Sequence, residues 1–153
     1  MRHLRQLAIA TACLAAAALH AGDRAPVTVQ DPYARAVPPG QPNSAVFMTL
    51  TNTADGPRAL VSAESDAAAT VELHTHSMAD GMMQMRRIER IDLPPGERVK
   101  LEPGGLHVML IGLAEQLTPG SDVALTLVFD DGSRAELTAP VRRIDGAMGR
   151  GGH

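Results

Sequence analysis

Short apolar or alternating runs start at Val27 and recur up to Val141. They are Val27–Val29, Ala45–Thr51, Leu60–Ala63, Thr70–His74, Met83–Ile91, Val99–Leu101, Leu106–Ile111, Asp122–Phe129 and Ala135–Val141. Turn-forming clusters separate them: Pro38-Pro39-Gly40, Asn52-Thr53-Ala54-Asp55-Gly56, Pro94-Pro95-Gly96, Pro103-Gly104-Gly105, Thr118-Pro119-Gly120 and Asp130-Asp131-Gly132. Turn signals at intervals of about 8–12 residues predict an all-β sandwich or barrel. Asp131-Gly132, between two alternating runs, is a hairpin signal, because these residues accept the positive φ of a tight turn. Asp66–Ala69 reads as one short turn of helix, and Gly146–His153 as a frayed, flexible tail.

Alternation also assigns faces. In Leu106-His107-Val108-Met109-Leu110 the apolar set is Leu106, Val108 and Leu110, so His107 and Met109 share the opposite face. In Val71-Glu72-Leu73-His74 the core set is Val71 and Leu73, which puts His74 on the side of Glu72, away from the core.

Ahead of the strands, the basic start Met1-Arg2-His3-Leu4-Arg5 leads into an apolar run from Leu7 to Leu19, followed by His20-Ala21-Gly22-Asp23. A basic start, a short apolar stretch and a small residue at the cut describe a secretory signal peptide over residues 1–21, cleaved after Ala21. The run falls short of the roughly 20 residues needed to span a bilayer. The expected organisation is then a β-sandwich domain over residues 22–145 and a tail over 146–153, with no membrane span in the mature chain. The one cysteine, Cys13, leaves with the signal. Lipidation of Cys13 is disfavoured because few apolar residues precede it.

The chain has 153 residues, 44% hydrophobic and 2% aromatic, with a net charge of -3. That length suits one domain. Loss of Arg2 and Arg5 with the signal leaves 12 basic and 17 acidic residues, a net charge of -5. A mildly acidic chain whose aromatics are Tyr33, Phe47 and Phe129 lacks the basic stripe and stacking platforms of a nucleic-acid binder.

Methionine is the unusual residue. Five of eight lie between Met78 and Met109, in the same third of the chain as His74, His76 and His107. Imidazole is the commonest metal-binding side chain, and thioether is a soft ligand that selects Cu(I). Zinc sites prefer Cys, His and carboxylate, and calcium and magnesium want oxygen. Blue copper needs a thiolate, which the mature chain lacks. Taken singly, Met48 reads as core filler, Met82, Met83 and Met85 as a strand packing alternate faces, and His76 as a solvated loop residue. Together, the His and Met residues point to a soft-metal binder.

The spacing goes further. His74 is followed after ten residues by Met85, and after twenty-one more by His107-x-Met109. This resembles the H-x10-M-x21-H-x-M signature of the periplasmic copper chaperones called PCu(A)C. Val71-Glu72-Leu73-His74, Asp80-Gly81-Met82-Met83-Gln84-Met85-Arg86, Leu93-Pro94-Pro95-Gly96 and Pro103-Gly104-Gly105-Leu106-His107-Val108-Met109-Leu110 resemble that family's segments. So does Asp31-Pro32-Tyr33-Ala34-Arg35, with Tyr where Trp is frequent. The resemblance covers about Val27 to Val141. It implies an all-β, cupredoxin-like Greek-key β-sandwich, periplasmic, with a surface Cu(I) site; a monomer is expected, and the exposed Met and His residues would also allow a dimer through shared copper. Carried over by position, the ligands are His74, Met85, His107 and Met109. It further implies delivery of copper by ligand exchange to the Cu(A) subunit of cytochrome c oxidase, sometimes with a Sco-type thioredoxin-fold partner. His76, Met78, Met82 and Met83 offer alternative ligands near the site. A secondary Cu(II) position stays open, with His76 or His153 able to supply one ligand, although the tail keeps only Met148 and His153.

Three other readings predict different behaviour. Copper storage or resistance would use the same ligands. A zinc hydrolase would take His74, His76 and His107 as ligands with Glu72 or Asp80 as base, but has no H-E-x-x-H motif. A plain protein-binding sandwich would use the methionines as an adaptable patch and bind no metal.

Overall fold

The computed structural model describes residues 25–144. The signal peptide expected over 1–21 and the tail over 146–153 lie outside the described residues. The described chain is all β, with ten strands: β1 (Val27–Arg35), β2 (Asn43–Asn52), β3 (Arg58–Glu64), β4 (Ala68–Ala79), β5 (Met82–Ile88), β6 (Ile91–Leu93), β7 (Arg98–Leu101), β8 (His107–Leu113), β9 (Asp122–Phe129) and β10 (Arg134–Arg142). Hydrogen bonding runs in the order β5-β4-β8-β2-β1-β10-β9-β3-β6, with β7 paired to β2 beyond the end of β8. Within this path the parallel β1–β10 contact joins two antiparallel halves. The halves fold face to face, so that the inward side chains of β2, β4 and β8 meet those of β3, β9 and β10 in one apolar cluster. That cluster includes Val46, Met48, Leu50, Leu73, Val108 and Leu110 from one half and Leu60, Leu125, Leu127, Phe129 and Ala139 from the other. The all-β sandwich expected from the turn spacing is therefore the architecture found.

Several local expectations change. Asp66–Ala69 is a turn that enters β4 at Ala68, not a helical turn. Ala67 N–H bonds the Ser65 hydroxyl and Ala114 N–H bonds the Ala67 carbonyl, so these groups serve a strand-to-strand connection. The run Met83–Ile91 is not one strand. β5 lies at one edge of the hydrogen-bonded path and β6 at the other, so the chain crosses between halves at Glu89-Arg90. The fully buried Asn52 amide, at the end of β2, donates to the Leu93 carbonyl at 2.8 Å and the Gly56 carbonyl at 2.9 Å, tying β6 across to β2.

The element that matters most for the site is the β4–β5 hairpin. Ala79 and Met82 are partners, and Asp80 (φ 52°) with Gly81 (φ 75°) forms the two-residue turn between them. Two successive positive φ values match the right-handed twist of a hairpin and suit an Asp-Gly pair. This turn fixes the register along the whole hairpin. It also carries β4 through His76 and Met78, so His76 is a strand residue and not a loop residue.

Candidate metal centre

Partners directly opposite in an antiparallel pair share a face of the sheet. His74 pairs with His107 across β4 and β8, and Glu72 with Met109. Across β4 and β5, His76 pairs with Met85 and Met78 with Met83. Across β2 and β8, Ala45 pairs with Met109. The face opposite the core therefore carries Glu72, His74, His76 and Met78 on β4, Met83 and Met85 on β5, His107 and Met109 on β8, and Ala45 and Phe47 on β2. All four residues picked out by spacing lie on this face, as alternation required for His74, His107 and Met109.

His107 is the buried centre of the group, only 2% exposed although it faces away from the core. Its ring centroid lies 6.2 Å from that of Phe47, 5.7 Å from His74 and 5.2 Å from His76. Phe47 packs in turn on Tyr33 at 5.3 Å, and the Arg142 guanidinium sits 5.4 Å above the Tyr33 ring. Phe47 and Ala45 are buried but outside the interior cluster, so this end of β2 is covered on both faces. That explains why its apolar positions run together instead of alternating.

The Pro103-Gly104-Gly105 segment interrupts the line of β7 and β8 with a tight loop closed by Glu102 N–H to Leu106 O (2.9 Å) and Gly105 N–H to Glu102 O (3.0 Å). Its Gly105 carbonyl accepts a hydrogen bond from His107 Nδ1 at 3.0 Å. That bond fixes the tautomer and leaves Nε2 to accept a metal. Burial holds the His107 imidazole below its ordinary pKa. The Gly105 bond opposes this, and the neighbouring His76 and His74 add a smaller lowering. His107 is thus a neutral nitrogen donor at neutral pH.

His74 is oriented from its other nitrogen. Its Nε2 lies 2.7 Å from Glu72 Oε2, and Nδ1 is buried without a partner. A carboxylate on one ring nitrogen with the second nitrogen open is the usual support of a metal-binding histidine. The second Glu72 oxygen lies 3.9 Å from Arg87 Nε, an exposed and weak pairing. His76 Nδ1 is likewise buried and unpartnered.

A cleft of about 350 Å³ opens over this face, lined by Ala45, Phe47, His76, Met85, His107 and Met109 and rimmed by residues 35–38 and Pro103-Gly104. His74 does not line it. Among the described residues the exposed large apolar side chains are Met78, Met82, Met83 and Met85, and all belong to the β4–β5 hairpin. Also among the described residues, no three His, Cys, Asp or Glu side chains are grouped so as to hold a metal. The three-histidine arrangement expected for zinc is therefore not assembled among the described residues. Glu72 is engaged with His74, and Asp80 sits in the hairpin turn.

Three features of the site are hidden in the sequence. His76 lies in a segment that reads as a loop, and only the register of the hairpin places it beside His107. Alternation shows Glu72 on the side of His74, but its supporting role needs the distance. Phe47 carried no signal, since an apolar residue in an apolar run reads as core.

Comparison with known proteins bears on the family and the fold. Residues 27–141 match the family model "Putative lipoprotein LpqE-like". A curated relative from Leifsonia xyli, "Putative lipoprotein Lxx21020", is 35% identical over 109 residues, 71% of this chain. The chain spans only 66% of that relative's length. Among solved structures, the copper-bound PCuAC domain from PmoF2 is 28% identical with a TM-score of 0.66, covering 78% of this chain and 95% of that domain. The solution structure of CuI-DR1885 from Deinococcus radiodurans is 35% identical with a TM-score of 0.61, covering 80% and 83%. With the match running from the first strand nearly to the end of the last, and with the fold of PCuAC domains around it, this chain belongs to the LpqE-like family.

Proposed function

We propose that this chain is an exported, periplasmic Cu(I) chaperone that hands copper on by ligand exchange, with His74, Met85, His107 and Met109 as ligands. The observation that carries this reading is the opposition of His74 and His107 on neighbouring strands, each with one ring nitrogen already engaged by Glu72 or Gly105, on the face that holds Met85 and Met109. The copper-bound PmoF2 domain and the Cu(I) form of DR1885 support the choice of ion.

Two imidazoles and two thioethers are neutral and do not cancel the charge of the ion. That favours Cu(I) over Cu(II), which prefers harder or anionic ligands. Methionine binds without losing a proton, and burial holds His107 in the neutral form, so neither the thioethers nor this ring release a proton on loading near neutral pH. The half-exposed Met85 stands on an edge strand where an incoming thiolate or thioether reaches it. The ion then moves donor by donor, with no change of oxidation state. The acceptor we assign is the Cu(A) subunit of cytochrome c oxidase, with a Sco-type thioredoxin-fold protein as a second participant.

The test is an anaerobic titration of the exported chain with Cu(I) against a competing colorimetric chelator, followed by mixing with a purified apo Cu(A) domain. One tightly held Cu(I) per chain and appearance of the Cu(A) absorption are expected. Failure to compete for Cu(I) overturns the reading, and binding without transfer overturns the delivery part.

A further inference from the structure

The spacing rule selects His74 and passes over His76. The geometry does not separate them in that way. The His76 ring is nearer to His107 than the His74 ring is, 5.2 Å against 5.7 Å between centroids. His76, not His74, stands directly opposite Met85. It lines the cleft that Met85, His107 and Met109 also line, and His74 does not. Its Nδ1 is buried and has no hydrogen-bond partner. A buried nitrogen left without a partner costs free energy. A site that tolerates such an atom beside three other donors is arranged for a ligand.

His74, His76 and His107 do not form one three-nitrogen group among the described residues. No three His, Cys, Asp or Glu side chains among the described residues are grouped to hold one ion. His107 is the member common to the two close imidazole pairs, so each of the others forms a pair with it separately. His74 belongs to an interior strand flanked by β8 and β5 and is tied to Glu72. His76 is further along the same strand, toward the hairpin tip and the exposed methionines.

We infer that His76 is a second, alternative nitrogen ligand for the cargo ion, competing with His74 for the position next to His107. This inference rests on the copper reading above. With His74, the ion sits against the supported, Glu72-oriented side. With His76, the same ion sits in the open cleft, still held by His107, Met85 and Met109. Exchange between the two imidazoles shifts the ion toward the surface from which it leaves. Four positions are filled by five donors, and one donor is always in reserve.

The competition titration is repeated on the exported chain with His74→Ala, His76→Ala and the double variant, and X-ray absorption counts nitrogen and sulfur neighbours of bound Cu(I) in each. Each single change should weaken binding by about tenfold, because the other imidazole steps in. The double change should cost far more than the product of the two singles, since His107 is then left as the sole nitrogen. Copper in His74→Ala should keep two nitrogen neighbours. One nitrogen neighbour in His74→Ala, or a double variant no worse than His74→Ala alone, overturns the inference and leaves the copper reading standing. If wild-type chain takes up no Cu(I), the copper reading fails and this inference with it. The absorption measurement on His74→Ala leaves His76 in place, so a poorly folded His76 variant does not blunt the test.

Discussion

Two methionines of the same sheet half should respond in opposite ways to truncation. Met48, on the inward face of β2, is 2% exposed and belongs to the interior cluster, whereas Met85, on the outward face of edge strand β5, is 48% exposed. Full burial of such a side chain is worth about 1.5–3 kcal/mol, and truncation in a core adds the cost of the cavity, so Met48→Ala should destabilise by about 2–5 kcal/mol. Met85 has about half its side chain in water, and its removal leaves no closed cavity, so Met85→Ala should cost less than about 1 kcal/mol. Copper binding should show the reverse. Losing one donor of four should weaken Cu(I) binding at least about 100-fold, the upper end of what is lost with a mere support of a ligand, or about 2.7 kcal/mol. Met83 lies on the same face two residues nearer the hairpin tip, about 7 Å along the strand, and outside the cleft, so it is poorly placed to substitute. Met48→Ala, if still folded, should bind Cu(I) like wild type. Urea denaturation of the apo proteins and chelator competition on the same preparations measure both quantities. Equal copper affinity in Met85→Ala and wild type would refute the reasoning, as would a large loss of stability in Met85→Ala.

Two further outcomes follow from the histidines. Burial holds the folded His107 below its ordinary pKa, so as pH falls the unfolded chain takes up that proton first. The stability contributed by the neutral ring is complete above about pH 6.5 and is lost as pH falls through the folded value. Urea midpoints of the apo protein should therefore decline below about pH 6.5, more steeply in wild type than in His107→Gln, and parallel declines would show that His107 is not the group responsible. Glu72→Gln leaves an oxygen to accept from His74 Nε2 but removes the charge that strengthens the bond, and it should lower Cu(I) affinity about tenfold with apo stability little changed. Unchanged affinity in the competition assay would mean that Glu72 does not prepare His74 for metal.

The strands were legible wherever local alternation had one buried face, as in β8 and β9, where period two and a flanking turn fix both the element and its faces. Alternation alone put His107 and Met109 on one side and His74 with Glu72. It could not show which residue of β5 stands opposite which residue of β4, because that register depends on the Asp80-Gly81 turn, and a one-residue slip would have turned Met85 to the other face. The crossing at Glu89-Arg90 was hidden for a related reason. The residues on either side of it keep a strand-like pattern, while the bonds that redirect β6, from Arg58–Leu60 and from the Asn52 side chain, come from far along the chain. The short apolar stretch at Asp66–Ala69 looked helical only because helix and turn cannot be told apart over four residues. Phe47 and Ala45 were invisible as parts of the site, since they are buried on the face away from the core, where Phe47 packs against Tyr33 and His107.

On the proposed ligand set, the placement of the four donors on their strands bears on how one site would both hold and release an ion. His107 and Met109 are on β8 and His74 is on β4, and each of these strands has a neighbour on both sides. Moving either backbone would break ladder bonds along two edges. Met85 is on β5, which is bonded along one edge only, and its side chain is half in water. An incoming ligand therefore meets least resistance at Met85 and most at the fully buried His107. Exchange should accordingly begin with the edge thioether and finish with the central imidazole, and the exposed Met78 and Met83 share the face on which that first step occurs. A scaffold with all four donors on interior strands would bind the ion but would leave an acceptor no ligand to displace. One with all four on the hairpin would lack the fixed imidazole that keeps the ion from escaping to water.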